Sequence, residues 1–427
     1  MRSLSILSVV SGLVIAPSVG HALTLAETIS AAKGYNFEIK SQGQKVKISE
    51  TNKTESLTKF LPSITTGAMI GKTHNYYRDY RSSKSFNNTN PVNTSININQ
   101  SLFNGGGDTH GVKVAQFKLA ASKEDFRSVV NDVLLRTIQA YEDVSTKRKV
   151  FQLNEDNVKV YNELIALNQT KFELGEITIT DISQTKSRLA DAVAGKDNAY
   201  AEVLAAEASF ENLVGMKAPA DLKPVVLDKD KLPKSLDEFL HATKKKNPAI
   251  LSARSNSSAA SRSVNVASAE LMPNINSSIA IQRSHAPQKT VNGSNVTYSV
   301  SMEMPIFQRG AEYTAIKRSK EAREDAKYNL SRIETAVQAG AVTAWNNYSI
   351  INSVILSKLQ AIDAAEKSLA GVREETKMGT RTTLDVLQEQ ANLFQAQVSY
   401  RKAVQQQVLS YYSIYSYLGE LDGIKYS

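Results

Sequence analysis

Leu174-Gly175-Glu176-Ile177-Thr178-Ile179-Thr180-Asp181 and Gly379-Thr380-Arg381-Thr382-Thr383-Leu384-Asp385-Val386-Leu387 are two versions of one pattern, 204 residues apart. In each, a glycine is followed three residues later by threonine and six residues later by aspartate. Thr-x-x-Asp is a helix-start signature: the hydroxyl caps free backbone N–H groups and the acid falls in the first turn. With the glycine ahead of it, each stretch reads as a short turn between two antiparallel helices. An acid at such a helix start is stabilised by about 0.3–1 kcal/mol.

Working outward, the same offset of 204 relates Gly106 to Gly310 and Gly215 to Gly419. Leu102-Phe103-Asn104 stands before Gly106 as Ile306-Phe307-Gln308 stands before Gly310, and Leu213-Val214-Gly215 answers Tyr417-Leu418-Gly419. Phe60-Leu61-Pro62-Ser63-Ile64 resembles Leu271-Met272-Pro273-Asn274-Ile275 at an offset of 211, so the first half carries seven extra residues. Insertions concentrate in loops, and the Ser/Asn-rich stretch from Arg81 to Asn93 is the expected place. Units of about 200 residues are too long for a solenoid, so the chain is a duplicated fold. The expected organisation is a first repeat over 23–218, a linker over 219–233 and a second repeat over 234–427.

No proline occurs between Pro91 and Pro219 or after Pro305, which permits very long helices. In the second tract apolar residues step by three and four from Ala326 through Leu330, Ile333, Val337, Ala341, Ala344, Tyr348 and Ile351 to Ile355, a coiled-coil rhythm. The stripe is narrow for a solid globular core. Gly106–Gly175 and Gly310–Gly379 each span 69 residues, roughly 100 Å as one helix. The return leg from Gly175 to Gly215 spans 40 residues, about 60 Å. Thr24 to Lys59, read as one further helical segment, adds about 54 Å. Two shorter helices stacked end to end would then match the long one. Several broken helices in a compact bundle are the alternative.

Between the helices the chain alternates. Val296, Tyr298, Val300, Met302 and Met304 are interleaved with Thr297, Ser299, Ser301 and Glu303; Ile275, Ile279 and Ile281, and Ile96, Ile98 and Leu102, behave alike. Period two marks strands with one apolar face. Each half therefore offers one hairpin, about 62–103 and 273–307, giving four strands per chain. Four strands cannot close a barrel, and lipid tolerates no open sheet edge. In a membrane the barrel must be shared, and three chains give twelve strands. A small soluble sheet capping a helical bundle is the alternative.

Residues 1–22 read as a secretory signal, with Arg2 as its positive start, Leu4 to Ile15 as its apolar core and Gly20-His21-Ala22 as its cleavage pattern. Absence of cysteine removes disulfides, thiol chemistry and N-terminal lipidation, and the five scattered histidines give no metal-ligand spacing. A net charge of +9 is mild for 427 residues, and Lys244 to Lys246 suit a solvated helix end, so no nucleic-acid partner is expected. Gly67 to Thr73 imitates a phosphate-binding loop but has one residue too few between its glycines. Gly105-Gly106-Gly107 lacks a dinucleotide fingerprint and reads as a strand-to-helix joint.

The signal, the two repeats of helix, hairpin and long helical hairpin, and above all the tip Gly379 to Leu387 resemble the TolC family of Gram-negative outer-membrane efflux proteins. The resemblance runs over nearly all of the chain after the signal. It implies a mostly α fold with a β portion: a homotrimer whose twelve-stranded outer-membrane β-barrel continues into a long periplasmic α-helical coiled-coil barrel. The implied function is that of a passive exit duct in a tripartite efflux pump or type I secretion system. Its partners would be a periplasmic adaptor (membrane fusion) protein, an inner-membrane transporter and outer-membrane lipid. Neither a cofactor nor an enzymatic activity is implied.

By the same resemblance, Asp385 matches the outer member of an acidic selectivity pair at the periplasmic entrance. The second member falls at Gln388, an amide. Arg381, Thr180 and Asp181 match positions that hold the entrance closed, while a tyrosine partner of the first-tip acid is replaced by Thr376. The Gly175 and Gly379 tips are the expected docking points for an adaptor hairpin. A secreted coiled-coil structural or adhesion protein is the alternative function.

Overall fold

The computed structural model describes residues 23–77, 85–228, 232–286, 291–424 and 426. The signal segment and residues 78–84, the last four of which begin the expected insertion, lie outside them. The long helices are unbroken: α3 (Gly107–Glu173) and α7 (Ala311–Lys377) have 67 residues each. Their return legs, α4 (Ile179–Val214) and α8 (Thr383–Leu418), have 36 each. Among the described residues no helix is long and apolar enough to cross a membrane.

The segment Thr24 to Lys59 is not one helix. It forms α1 (Leu25–Tyr35) and α2 (Phe37–Thr58), separated at Asn36. The Asn36 side chain accepts from the N–H groups of Glu38 (2.9 Å) and Ile39 (3.4 Å), which starts a new helix one residue after the old one ends. The second repeat breaks identically. There α5 (Leu236–Lys246) and α6 (Pro248–Ala269) are divided by Asn247, which accepts from Ala249 and Ile250 at 3.0 and 3.4 Å. At each break the end of a return leg arrives. A Cβ placed on Gly215 would lie 2.3 Å from the Tyr35 ring, and one on Gly419 2.6 Å from Pro248 Cδ. So the end of α4 meets the α1–α2 break at Tyr35, and the end of α8 meets the α5–α6 break at Pro248.

At the same level α1 enters the core. Leu25, Ile29 and Ala32 of α1 pack with Leu134, Ile138 and Tyr141 of α3, Phe210 of α4, and Tyr411 and Tyr412 of α8. The chain after α4 is fastened across this level by polar side chains. Tyr141 Oη reaches the carbonyls of Leu23 (2.9 Å) and Lys223 (2.7 Å), and Tyr411 Oη donates to Asp228 O at 2.6 Å. The Arg148 guanidinium, paired with Glu207, donates to the carbonyls of Ala218, Pro219 and Ala220.

Among the described residues six strands form rather than four: β1 (Ser63–Ile70), β2 (Thr73–Tyr77), β3 (Ser85–Thr89), β4 (Val92–Asn104), β5 (Asn274–Ala286) and β6 (Val291–Glu303). The main sheet is antiparallel in the order β1-β4-β5-β6, and β2 pairs only with β3. The extra pair prolongs the first hairpin beyond Gly71 and Pro91, where proline has no N–H for the ladder and Gly71 N–H bonds Pro91 O at 3.0 Å. Much of Arg81 to Asn93, expected as loop, is therefore strand: β3 and the start of β4 fall inside it. The imitation phosphate loop begins within β1, not at a strand-to-helix turn.

Candidate functional site

Two regions carry chemistry: the faces of the sheet and the tips of the helical hairpins. Cross-strand partners share a face, so the register sorts the side chains. One face aligns Ile64, Ile98, Ile279 and Tyr298, then Thr66, Ile96, Ile281 and Val296. The other aligns Ser63, Asn99, Ser278 and Ser299, then Thr65, Asn97, Ala280 and Thr297. Among the described residues nothing covers the apolar face. Tyr298, Val300 and Met302 are 75, 70 and 71% exposed, which is untenable in water for a contiguous patch. The opposite face is hydroxyl and amide, with Ser278 and Ser299 bonded at 2.7 Å. The outer strands of this sheet, β1 and β6, each have one neighbour, leaving two free edges.

At the tips, Gly175 and Gly379 have φ of +76° and +78°. An added Cβ would meet nothing at either glycine, so the requirement is one of backbone conformation alone. Both capping boxes form. Thr178 N–H donates to Asp181 Oδ2 (2.9 Å) while Asp181 N–H donates back to the Thr178 hydroxyl (3.4 Å). Thr382 and Asp385 repeat this at 2.9 and 3.3 Å. Hydrogen bonds from the Thr382 backbone and hydroxyl, with the nearby Arg381 charge, hold the Asp385 carboxyl below its ordinary range, so it stays ionised.

Within the chain Arg381 Nε donates to Glu375 Oε2 at 3.0 Å. Gln388 donates to Asn392 at 3.1 Å, and the Thr376 hydroxyl turns back onto Val372 O at 2.7 Å. Thr180 is exposed at the first tip.

Sequence reasoning missed a polar chain just above the tips, buried at Gln390 and Asn157. Arg373 of α7 donates to Gln390 of α8 (3.2 Å), which donates to Asn157 of α3 (3.4 Å). Asn168 of α3 donates to the buried Thr185 hydroxyl of α4 at 2.9 Å. The Gln390–Asn157 bond ties the two hairpins together, and its partners lie too far apart in sequence to be paired by spacing, while the other two bonds brace each hairpin internally. Beside them a groove of about 530 Å³ opens between the hairpins, lined by Leu164, Asn168, Lys171, Arg373, Thr376 and Leu387.

Comparison with known proteins agrees with this geometry. The family model described as "Outer membrane efflux protein" matches residues 28–216 and 239–420, one block per repeat. Outer membrane efflux protein BepC of Brucella suis biovar 1 (strain 1330) is 26% identical, covering 96% of this chain and 88% of its own. Outer membrane protein TolC of Escherichia coli (strain K12) is 22% identical over 95% of this chain and 84% of its own. The crystal structure of the Campylobacter jejuni CmeC outer membrane channel superposes with a TM-score of 0.82 at 13% identity, covering 98% of this chain and 93% of that one. With two matched repeats, an amphipathic sheet and long capped hairpins, the chain belongs to the outer membrane efflux protein family, whose members are channel proteins of the outer membrane.

Proposed function

We propose that three copies of this chain close one barrel and one tunnel, forming the passive exit duct of a tripartite efflux pump or type I secretion system. One observation carries the reading: a four-stranded sheet with an uncovered apolar face and two free edges. In lipid such edges must be paired, and β1 of one copy against β6 of the next pairs all of them in a ring of three. The apolar face then meets lipid and the hydroxyl-and-amide face lines the pore. Each repeat, 23–218 and 234–427, supplies one strand hairpin and one helical hairpin to that ring, with the polar-fastened linker 219–233 at its waist.

The entrance lies at the tips. Three ionised Asp385 carboxylates around one axis attract cations, and Gln388 leaves that ring single. Their mutual repulsion favours opening, so closure needs opposing contacts. Arg381, Thr180 and Asp181 supply them between tips, and the Arg373–Gln390–Asn157 chain supplies them within each copy. An exposed ion pair contributes only about 0–1 kcal/mol, which threefold repetition multiplies and which suits a marginally closed gate. A periplasmic adaptor hairpin docks at the Gly175 and Gly379 turns, entering the groove beside them. An inner-membrane transporter drives cargo from below.

Planar-bilayer recording tests this. Arg381→Ala should raise single-channel conductance and Asp385→Ala should reduce cation preference. Conductance and selectivity unchanged in both variants would overturn the gate assignment.

A further inference from the structure

The strands are almost free of formal charge. Among the described strand residues the one acid is Glu303 and the one lysine or arginine is Arg283. They stand at opposite ends of the same hairpin. Glu303 pairs with Asn274 where the sheet joins the helices, and Arg283 pairs with Ser294 nine residues further out. Nine residues are about 30 Å along a strand, or about 23 Å of depth at a tilt of 40°. That is close to the height of the apolar band of outer-membrane barrels, about 25 Å.

Arg283 shares the apolar face with Ile279 and Ile281 near that face's outer end, with Ile70 and Val92 one step further out at the level of His285. The register sets Arg283 directly between Thr94 and Ser294, with His285 two residues further out opposite Val92. Arg283, His285, Thr94 and Ser294 are all exposed, and they line a concavity of about 380 Å³. No carboxylate of the described strands faces it.

A guanidinium on a lipid-facing surface needs an anion at the headgroup level. Its planar fork grips phosphate oxygens in pairs, and the two flanking hydroxyls add donors for the remaining ones. We propose that Arg283, His285, Thr94 and Ser294 form a binding site for the phosphate groups of the phosphorylated glycolipid in the outer leaflet, one site per copy of the chain. The proposal rests on the barrel reading above, because only then does this face meet lipid with its Arg283 end outward.

The test uses the purified full-length channel in detergent, with native mass spectrometry as the readout. Three probes share acyl chains as far as possible: bisphosphorylated lipid A, its dephosphorylated form, and phosphatidylglycerol. The bisphosphorylated lipid should be retained at up to three per trimer, ahead of both others. Arg283→Gln should weaken that retention about tenfold, the loss expected for one charge-assisted contact, and Arg283→Gln with His285→Gln should weaken it further. Equal retention of the dephosphorylated lipid or of phosphatidylglycerol, or unchanged retention in the double variant, would overturn the site. Bilayer conductance of the same preparations separates the two readings. Intact conductance with lost lipid selectivity sinks the lipid site alone, whereas a monomeric, non-conducting wild type sinks the barrel and the site with it.

Discussion

α3 and α7 are equal in length, begin after equivalent left-handed glycines and end at equivalent tips, yet α3 buries eighteen residues and α7 five. Duplication copied the lengths and the caps but not the surroundings. α3 lies against α1, α2, α4, α6 and α8, whereas α7 lies against α5, α6 and α8. The free side of α7 leaves Ile350, Leu356 and Leu359 exposed by 55, 61 and 43%. The free side of α4 leaves Tyr200 and Leu204 exposed by 51 and 49%. Two unlike apolar sides on one chain, like two unlike sheet edges, are satisfied by a head-to-tail ring. The core of the single chain draws on both repeats, chiefly through α3 of the first and α8 of the second, while the free side of α7 holds much of the surface that the proposed trimer would bury.

The largest expected effect breaks that comparison directly. Leu356→Asp combined with Leu359→Asp should abolish trimers while leaving the helix content of the chain intact, as read by detergent-corrected mass and circular dichroism. If α7 faces only water there, the trimer will survive. Next in size, Leu134→Ala in α3 should cost about 2–5 kcal/mol of stability in denaturant unfolding. Its counterpart at the 204 offset is Gln338, exposed on α7, and Gln338→Ala should stay within about 0.5 kcal/mol.

The same contrast explains how much of the molecule is legible in the sequence. Features fixed by local chemistry are readable: the glycines 69 apart, the proline-free tracts and the two Thr-x-x-Asp caps give the hairpins and their tips. The breaks at Asn36 and Asn247 are not, although the two residues lie at the 211 offset and Asn247-Pro248 is a helix-start pair. An asparagine inside a helical pattern looks tolerable until its side chain is seen capping the next helix. The extension of the first hairpin is hidden by Ser and Asn residues, which serve loops and pore-facing strands equally. The Arg373–Gln390–Asn157 chain leaves no local signal, because a polar residue on a long helix is ordinarily solvated. Tertiary packing decides which of them is buried.

Glu142 sharpens the comparison through pH. It is buried in α3, and burial pushes its carboxyl up to about 7, while its counterpart Asn346 is exposed on α7. The raised value means the folded chain binds this proton more tightly than the unfolded chain does. The ionised form therefore weakens the fold above about pH 7, and the penalty fades as pH falls toward 4.5. Glu142→Gln should stabilise the protein by about 2–3 kcal/mol at pH 8 and change little at pH 4, as measured by denaturant unfolding at both. The smallest effect probes what the repeats share. Thr178→Ala and Thr382→Ala should each cost about 1 kcal/mol, with matching loss of amide-exchange protection in the first turns of α4 and α8. Unequal losses would mean that the surroundings, not the caps, hold the tips.

The central claim is that the free edges and free helix faces of one chain are completed by two further copies. The detergent-corrected mass of the purified, full-length protein tests it most directly. The account predicts a mass of three chains, stable on dilution in detergent; a single chain of the same fold would contradict it.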